Sequence, residues 1–183
     1  MRNIAVKAKR VCQALSLLKA SEKEKALHDM AAAVLSNREA ILRANRRDAE
    51  AAKKKDLSPA MVARLTLDEA KLEKIAESIA SISRLPDPVG RVLWERTRPN
   101  GLVIRKISVP LGSILIIYES RPNVTADCMA LCLRSGNSVI LKGGSEALRT
   151  NQALFDVMTR AAAKAGIPRD AFQLVRTSDR SAV

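Results

Sequence analysis

Aromatic side chains are almost missing from this chain. Trp94, Tyr118, Phe155 and Phe172 are the only ones among 183 residues, too few and too apolar in context to form a platform for stacking nucleic-acid bases. Cysteine is nearly as sparse: Cys12, Cys128 and Cys132 form an odd set without metal-type spacing, and His28 is the only histidine. A zinc site is therefore not expected. Cys128 and Cys132 lie four apart on an expected helix and read as free buried thiols of a reducing compartment. Long apolar runs are lacking as well. The longest, near residues 111–118, falls far short of the ~20 residues of a membrane span. Residues 1–20 interleave charges with apolar side chains, where a secretory leader would segregate them. The chain reads as cytoplasmic, with no membrane partner.

Acid is short too, and the formal net charge is +13. Such an excess suits phosphate backbones, but its distribution does not. Residues 1–55 hold 14 basic and 6 acidic side chains, and runs such as Arg46-Arg47 and Lys53-Lys54-Lys55 are interspersed with Asp48 and Glu50. This is the pattern of solvated amphipathic helix faces, so no nucleic-acid partner is expected. At 47% hydrophobic and 28% charged residues the chain has the composition of a globular protein.

Periodicity places helices in the first half. Ala5, Ala8, Val11, Cys12, Leu15 and Leu18 form one apolar stripe. Ser21 with Glu24 reads as a capping box for a helix through Leu35, and Asn37 as the cap of a third through about Lys55. Ser58-Pro59 is an N-cap and first-turn pair. Thr66 with Glu69 reads as another capping box, for a helix carrying Leu72, Ile75, Ile79 and Ile82 and closed by Pro86 and Pro88. Residues 91–98 and 102–109 read as a partly exposed hairpin turning at Pro99-Asn100-Gly101.

From residue 112 the pattern becomes β-α-β-α-β. SILIIY and SVILK are short continuous apolar runs, as expected of strands buried on both faces. They alternate with helices at about 123–134, followed by a Gly136-Asn137 turn, and at 145–165, ended by Gly166-Ile167-Pro168. FQLVR is the third strand, and right-handed crossovers make all three parallel. Residues 177–183 read as a helix cap and first turn. The fold class is α/β: a helical lead over residues 1–88, a hairpin arm over 89–109 and a partial Rossmann-type unit over 110–183.

The polar residues of 109–151 stand at element ends, and the carboxyl ends of parallel strands are where open α/β sheets bind ligands. Asn123, at a loop-to-helix junction, is either a cap or an amide donor toward a developing oxyanion. Lys142-Gly143-Gly144-Ser145 joins a strand to a helix, either as a plain turn with a serine cap or as an anion site of cation, close backbone and helix start. It is neither a GxGxxG nor a Walker loop. Glu119 and Arg121 flank the first turn, as an ion pair or with Arg121 reaching a substrate phosphate or carboxylate.

YESRPNVT followed by LCLRSGNSVILKGGSEALRTN closely resembles the gamma-glutamyl phosphate reductases, or glutamate-5-semialdehyde dehydrogenases, of proline biosynthesis. These belong to the aldehyde dehydrogenase superfamily, and the resemblance extends over essentially the whole chain. It implies NADPH-dependent reduction of gamma-glutamyl phosphate by thiolate attack, release of phosphate and hydride transfer to the thioester. It implies that Asn123 faces the carbonyl oxygen and that Lys142 contacts the adenosine ribose. Ser145 stands where NAD-preferring relatives often carry Glu, which leaves room for the 2′-phosphate of NADPH. The nucleophilic cysteine and the pyrophosphate loop are expected beyond residue 183, so the chain alone is expected to be inactive; Cys128 and Cys132 match no nucleophile position. The resemblance further implies a homo-oligomer when full length and functional coupling to glutamate 5-kinase. Two other readings stand beside it: the same domain within a bifunctional pyrroline-5-carboxylate synthase, and a non-catalytic basic module for nucleic acid or acidic partners.

Overall fold

A computed structural model of the protein describes residues 2–177; the expected cap and first turn over residues 177–183 lies, apart from Thr177, outside them. The apolar stripe at the amino terminus forms two helices, α1 (Arg2–Arg10) and α2 (Cys12–Ser16), which meet at Val11. Helix α3 (Ala20–Ser36) starts one residue before the expected cap. Lys19 is its N-cap and donates its backbone N–H to Glu22 Oε2 at 2.7 Å, so Glu22, not Glu24, closes the first turn. Asn37 stands ahead of α4 (Arg38–Lys54), but its side-chain amide points back to the Ala33 carbonyl at 2.8 Å, satisfying the end of α3.

Ser58 caps α5 (Pro59–Leu65) as expected, accepting from the Met61 N–H. Thr66 does not cap α6 (Glu69–Ser83): its hydroxyl donates to the Val62 carbonyl of α5, and Asp68 caps α6 through the Lys71 N–H. A hydroxyl next to the end of one helix satisfies the nearer orphan carbonyl first, and a carboxylate is the stronger N-cap acceptor. Leu72, Ile75, Ile79 and Ile82 are all buried on α6. After it, Arg134 donates to the Leu85 carbonyl and Lys23 pairs with Asp87 at 2.5 Å, which anchors the proline-rich exit.

Strands β1 (Val92–Thr97) and β2 (Val103–Ile107) form the antiparallel hairpin, exposed along nearly its whole length. Its turn uses Gly101 at φ 82, a backbone region that glycine adopts without strain. The second sheet is fully parallel in the order β3-β4-β5, built from β3 (Ser113–Ile117), β4 (Ser138–Lys142) and β5 (Phe172–Leu174). Helices α7 (Pro122–Arg134) and α8 (Leu148–Lys164) are its crossovers.

Every residue of β4 is buried, as a central strand requires. Strand β3 is not buried on both faces. Ile114, Ile116 and Tyr118 pack on the main core, but Leu115 is 43% and Ile117 63% exposed. The reason is position. Leu115 pairs with Ile140 and so shares its face, where Ile4 and Ala8 of α1 cover Ile140 and Val175 but leave the edge strand open among the described residues.

One core cluster joins α3, α4 and α6 to α7, β4 and α8, with Leu27, Met30, Ile41, Ile79, Met129, Leu133, Leu141, Leu154 and Met158 all fully buried. Burying each such side chain stabilises by about 1.5–3 kcal/mol. Truncating one, as in Leu27→Ala, costs about 2–5 kcal/mol because a cavity remains.

Candidate active site

Register places the site. Ile117 of β3 is paired with Lys142 of β4, so the turns that follow both strands emerge side by side at their carboxyl ends. Between them lies a cavity of about 520 Å³, lined by the turn 118–121, by residues 142–146 and by Met61 and Arg64 of α5. That volume lies within the range of small-molecule sites.

The Lys142 side chain is only 8% exposed, and its Nζ donates to the Thr177 carbonyl just past β5. The ammonium is thereby held at the cavity floor by a fixed acceptor. Gly143 and Gly144 line the same cavity, but the reason for glycine is internal packing. A Cβ on Gly143 would lie 2.3 Å from Asn151 Nδ2 and 3.1 Å from the Tyr118 ring. One on Gly144 would lie 2.3 Å from Ser120 Oγ. The two turns thus interlock without room for a methyl group.

Ser145 is exposed and opens a short 3-10 turn (Ser145–Ala147) rather than α8 itself, with no side-chain cap. Its hydroxyl donates to Glu146 Oε1 at 2.9 Å, and Ser120 Oγ donates to Glu146 Oε2 at 2.5 Å. The Ser120 hydrogen bond, opposed by partial burial, holds the Glu146 carboxyl below its ordinary range.

Arg121 is the N-cap of α7, Pro122 occupies its first turn, and Asn123 follows. Asn123 does not cap the helix. Its Nδ2 donates to Asp127 Oδ2 at 3.3 Å, and the side chain lines a second cavity of about 690 Å³ between α5, α6 and the start of α7. The two groups of expected site residues are therefore not in one pocket: Glu119, Lys142, Gly143, Gly144 and Ser145 line the first, Asn123 the second. Arg121 and Arg64 line both. Glu119 and Arg121 touch through the backbone, Arg121 N–H to Glu119 carbonyl at 2.8 Å, and form no ion pair among the described residues.

Beneath the first cavity runs a buried relay not expected from sequence. The Tyr118 hydroxyl is 2.7 Å from Thr125 Oγ1, which donates to Asn151 Oδ1 at 3.0 Å. Burial pushes the Tyr118 hydroxyl up to about 12, against the Thr125 hydrogen bond. One helix further out, Asp48 accepts from the Thr150 N–H and hydroxyl, and Asn45 bridges Thr150 to the Leu65 carbonyl. A signal for this existed: Asn45 and Asp48 fall on the same face of α4 as Ile41, Ala49 and Ala52, and polar residues on an apolar stripe demand buried partners.

Cys132 is buried, but Cys128 is only partly so; burial raises the Cys128 thiol and pushes Cys132 up to about 12, which favours the protonated form of both. Among the described residues no group of three His, Cys, Asp or Glu side chains could hold a metal ion, and no helix is long and apolar enough to cross a membrane.

The gamma-glutamyl phosphate reductase of Paramagnetospirillum magneticum is 49% identical to this chain over 183 residues, which is all of the chain and 43% of that protein. The protein of the same name from Moorella thermoacetica is 51% identical over 177 residues, 97% of the chain and 42% of its own length. The crystal structure of the gamma-glutamyl phosphate reductase from Thermotoga maritima superposes with a TM-score of 0.96 at 36% identity, covering 98% of this chain and 44% of that one. The chain thus spans less than half the length of these relatives. The sequence profile of the aldehyde dehydrogenase family matches residues 1–183. With the parallel sheet and its strand-end cavity, that match over the full sequence decides the assignment: the chain belongs to the aldehyde dehydrogenase family.

Proposed function

We propose that this chain is the amino-terminal, cofactor-binding part of a gamma-glutamyl phosphate reductase, in which NADPH reduces gamma-glutamyl phosphate to glutamate-5-semialdehyde and phosphate. What supports the reading most is the strand-end cavity holding Lys142, Gly143 and Gly144 in a chain 49% identical to one such reductase. Lys142, Gly143, Gly144 and Ser145 hold the adenosine end of the cofactor, with the buried ammonium fixed for an anionic or hydroxyl-rich ligand. When bound, NADPH supplies the hydride. Asn123 donates its amide to the carbonyl oxygen of the reacting acyl group, and Arg121 with Glu119 faces the substrate. The nucleophilic cysteine belongs to a later segment, so residues 1–183 bind without catalysing. The full protein is cytoplasmic, oligomeric and functionally coupled to glutamate 5-kinase.

Cofactor choice rests on Ser145. A small hydroxyl leaves space that a glutamate would fill with a like charge toward a 2′-phosphate. Glu119 and Glu146 bring two carboxylates to the cavity against the three cations Lys142, Arg64 and Arg121, and two serine hydroxyls hold Glu146. Titrating the chain with NADPH and NADH by nucleotide fluorescence tests the proposal. NADPH is expected to bind more tightly, Lys142→Ala to lose both nucleotides and Ser145→Glu to erode the preference. Nucleotide binding unaffected by Lys142→Ala would sink this site.

A further inference from the structure

The second cavity, about 690 Å³, has a wall of unusual charge. Arg64 from α5, Lys71 and Lys74 from α6 and Arg121 from the start of α7 line it against a single carboxylate, Asp127. Lys71 is committed, its Nζ donating to the Thr66 carbonyl at 2.6 Å and the Ala63 carbonyl at 3.3 Å. Asp127 accepts from Ser78 at Oδ1, at 2.8 Å, and from Asn123 at Oδ2, which leaves a lone pair on each oxygen for a ligand ammonium. Arg64, Lys74 and Arg121 make no side-chain hydrogen bond or ion pair among the described residues. Three uncommitted cations from three elements converge on one apolar-floored cavity that also holds Asn123.

We infer that this cavity is a two-ended anion site in which Arg64, Lys74 and Arg121 determine specificity for an amino acid bearing a remote acyl phosphate. The inference rests on the reductase reading above, because it takes Asn123 as the donor to the reacting carbonyl. Arg121 stands two residues before Asn123, and both Arg121 and Arg64 border the cofactor cavity as well. They meet the phosphoryl group, which is bonded to that same carbonyl carbon through oxygen, and guanidinium forks match its oxygens. Lys74 lies one helical turn before Ser78, which donates to Asp127. That places an ammonium and a carboxylate at neighbouring positions of the wall, the charges needed by the carboxylate and ammonium of an amino-acid end. A neutral aldehyde or simple acyl chain satisfies neither end and is rejected through the cations it leaves unpaired.

The test is calorimetric titration of the chain with phosphononorvaline, an amino acid with a hydrolysis-resistant terminal phosphonate, beside norvaline and propylphosphonate, each of which lacks one end. An NADPH titration runs in parallel. Phosphononorvaline is expected to saturate one site, and each of Arg64→Ala, Lys74→Ala and Arg121→Ala to weaken it about tenfold or more, the scale of one lost charge-assisted hydrogen bond. Propylphosphonate binding should respond to the two arginines but not to Lys74. Arg121→Lys, which keeps the charge and loses the fork, should restore part of the affinity. Lys106→Ala on the exposed hairpin should change nothing; an equal loss there would reduce the effect to bulk charge and overturn the inference. Binding of norvaline as tight as that of phosphononorvaline would overturn it as well. So would failure of phosphononorvaline to bind while NADPH still does, leaving the reductase reading intact. Failure of both ligands would remove that reading and the inference with it.

Discussion

Asp48 and Thr150 are 102 residues apart in sequence and joined by two hydrogen bonds to one carboxylate oxygen, the Thr150 N–H at 2.7 Å and its hydroxyl at 2.8 Å. Asp48 is 1% exposed. The pair fixes the first turn of α8 to α4, directly after the turn that carries Lys142, Gly143 and Gly144. The position of the strand-end cavity is therefore tied to the amino-terminal helices and not to the sheet alone.

Removing that carboxylate should be expensive. Asp48→Ala leaves a buried N–H and hydroxyl without their acceptor, and urea unfolding should show a loss of about 3 kcal/mol. Arg149→Ala removes only a half-exposed ion-pair partner of Asp48 at 3.2 Å and should cost less than about 1 kcal/mol. Equal losses for the two would show that the Thr150 contacts contribute little.

Gly143→Ala should destabilise by about 1–3 kcal/mol, since its Cβ would meet the Asn151 amide and the Tyr118 ring. Asn151 is held by Thr125 and cannot swing away without breaking the relay. Gly166→Ala adds a methyl into open space and pays only for its φ of +94. Thermal melting of both variants, with NADPH titration of Gly143→Ala, separates packing from backbone strain: only Gly143→Ala should also weaken nucleotide binding.

The Ser120–Glu146 contact carries a pH signature. The Glu146 carboxyl is held below the ordinary value of 4.5 in the folded protein. Its contribution to stability is therefore complete above that value and is lost as the pH falls through the lower folded-state value. Ser120→Ala removes the main cause, so unfolding midpoints measured below about pH 5 should decline less steeply for the variant than for the parent chain. Parallel declines would refute the assignment of the shift to Ser120.

Cys128 and Cys132 should resist iodoacetamide at pH 8 in the folded chain and react fully in denaturant, as read by peptide mass spectrometry. The Cys132 thiol, pushed up to about 12, also predicts that its contribution to stability, complete below the ordinary thiol value of 9.0, is lost as the pH climbs toward about 12. Rapid alkylation of Cys132 in the native chain would mean that the α7 core opens readily.

The β-α-β-α-β order and the exposed hairpin were legible in the sequence, because both rest on local rules: apolar periodicity, glycine turns and the handedness of crossovers. So was the Ser58-Pro59 cap. The caps at Ser21 and Thr66 were misplaced for a local reason too. Several side chains within three residues could each serve the same orphan groups, and the stronger or nearer acceptor won.

Element order, the family resemblance and the strand-end position of Lys142, Gly143, Gly144, Ser145, Glu119 and Arg121 could all be read from local patterns along the chain. Packing alone put Asn123 at a different cavity from Lys142, left β3 an edge with one open face among the described residues, and brought Arg64 and Lys74 together with Arg121. The physical reason is range. Periodicity and capping act over one turn of chain, whereas a cavity wall and a buried hydrogen bond such as Asp48–Thr150 join residues that only packing brings together.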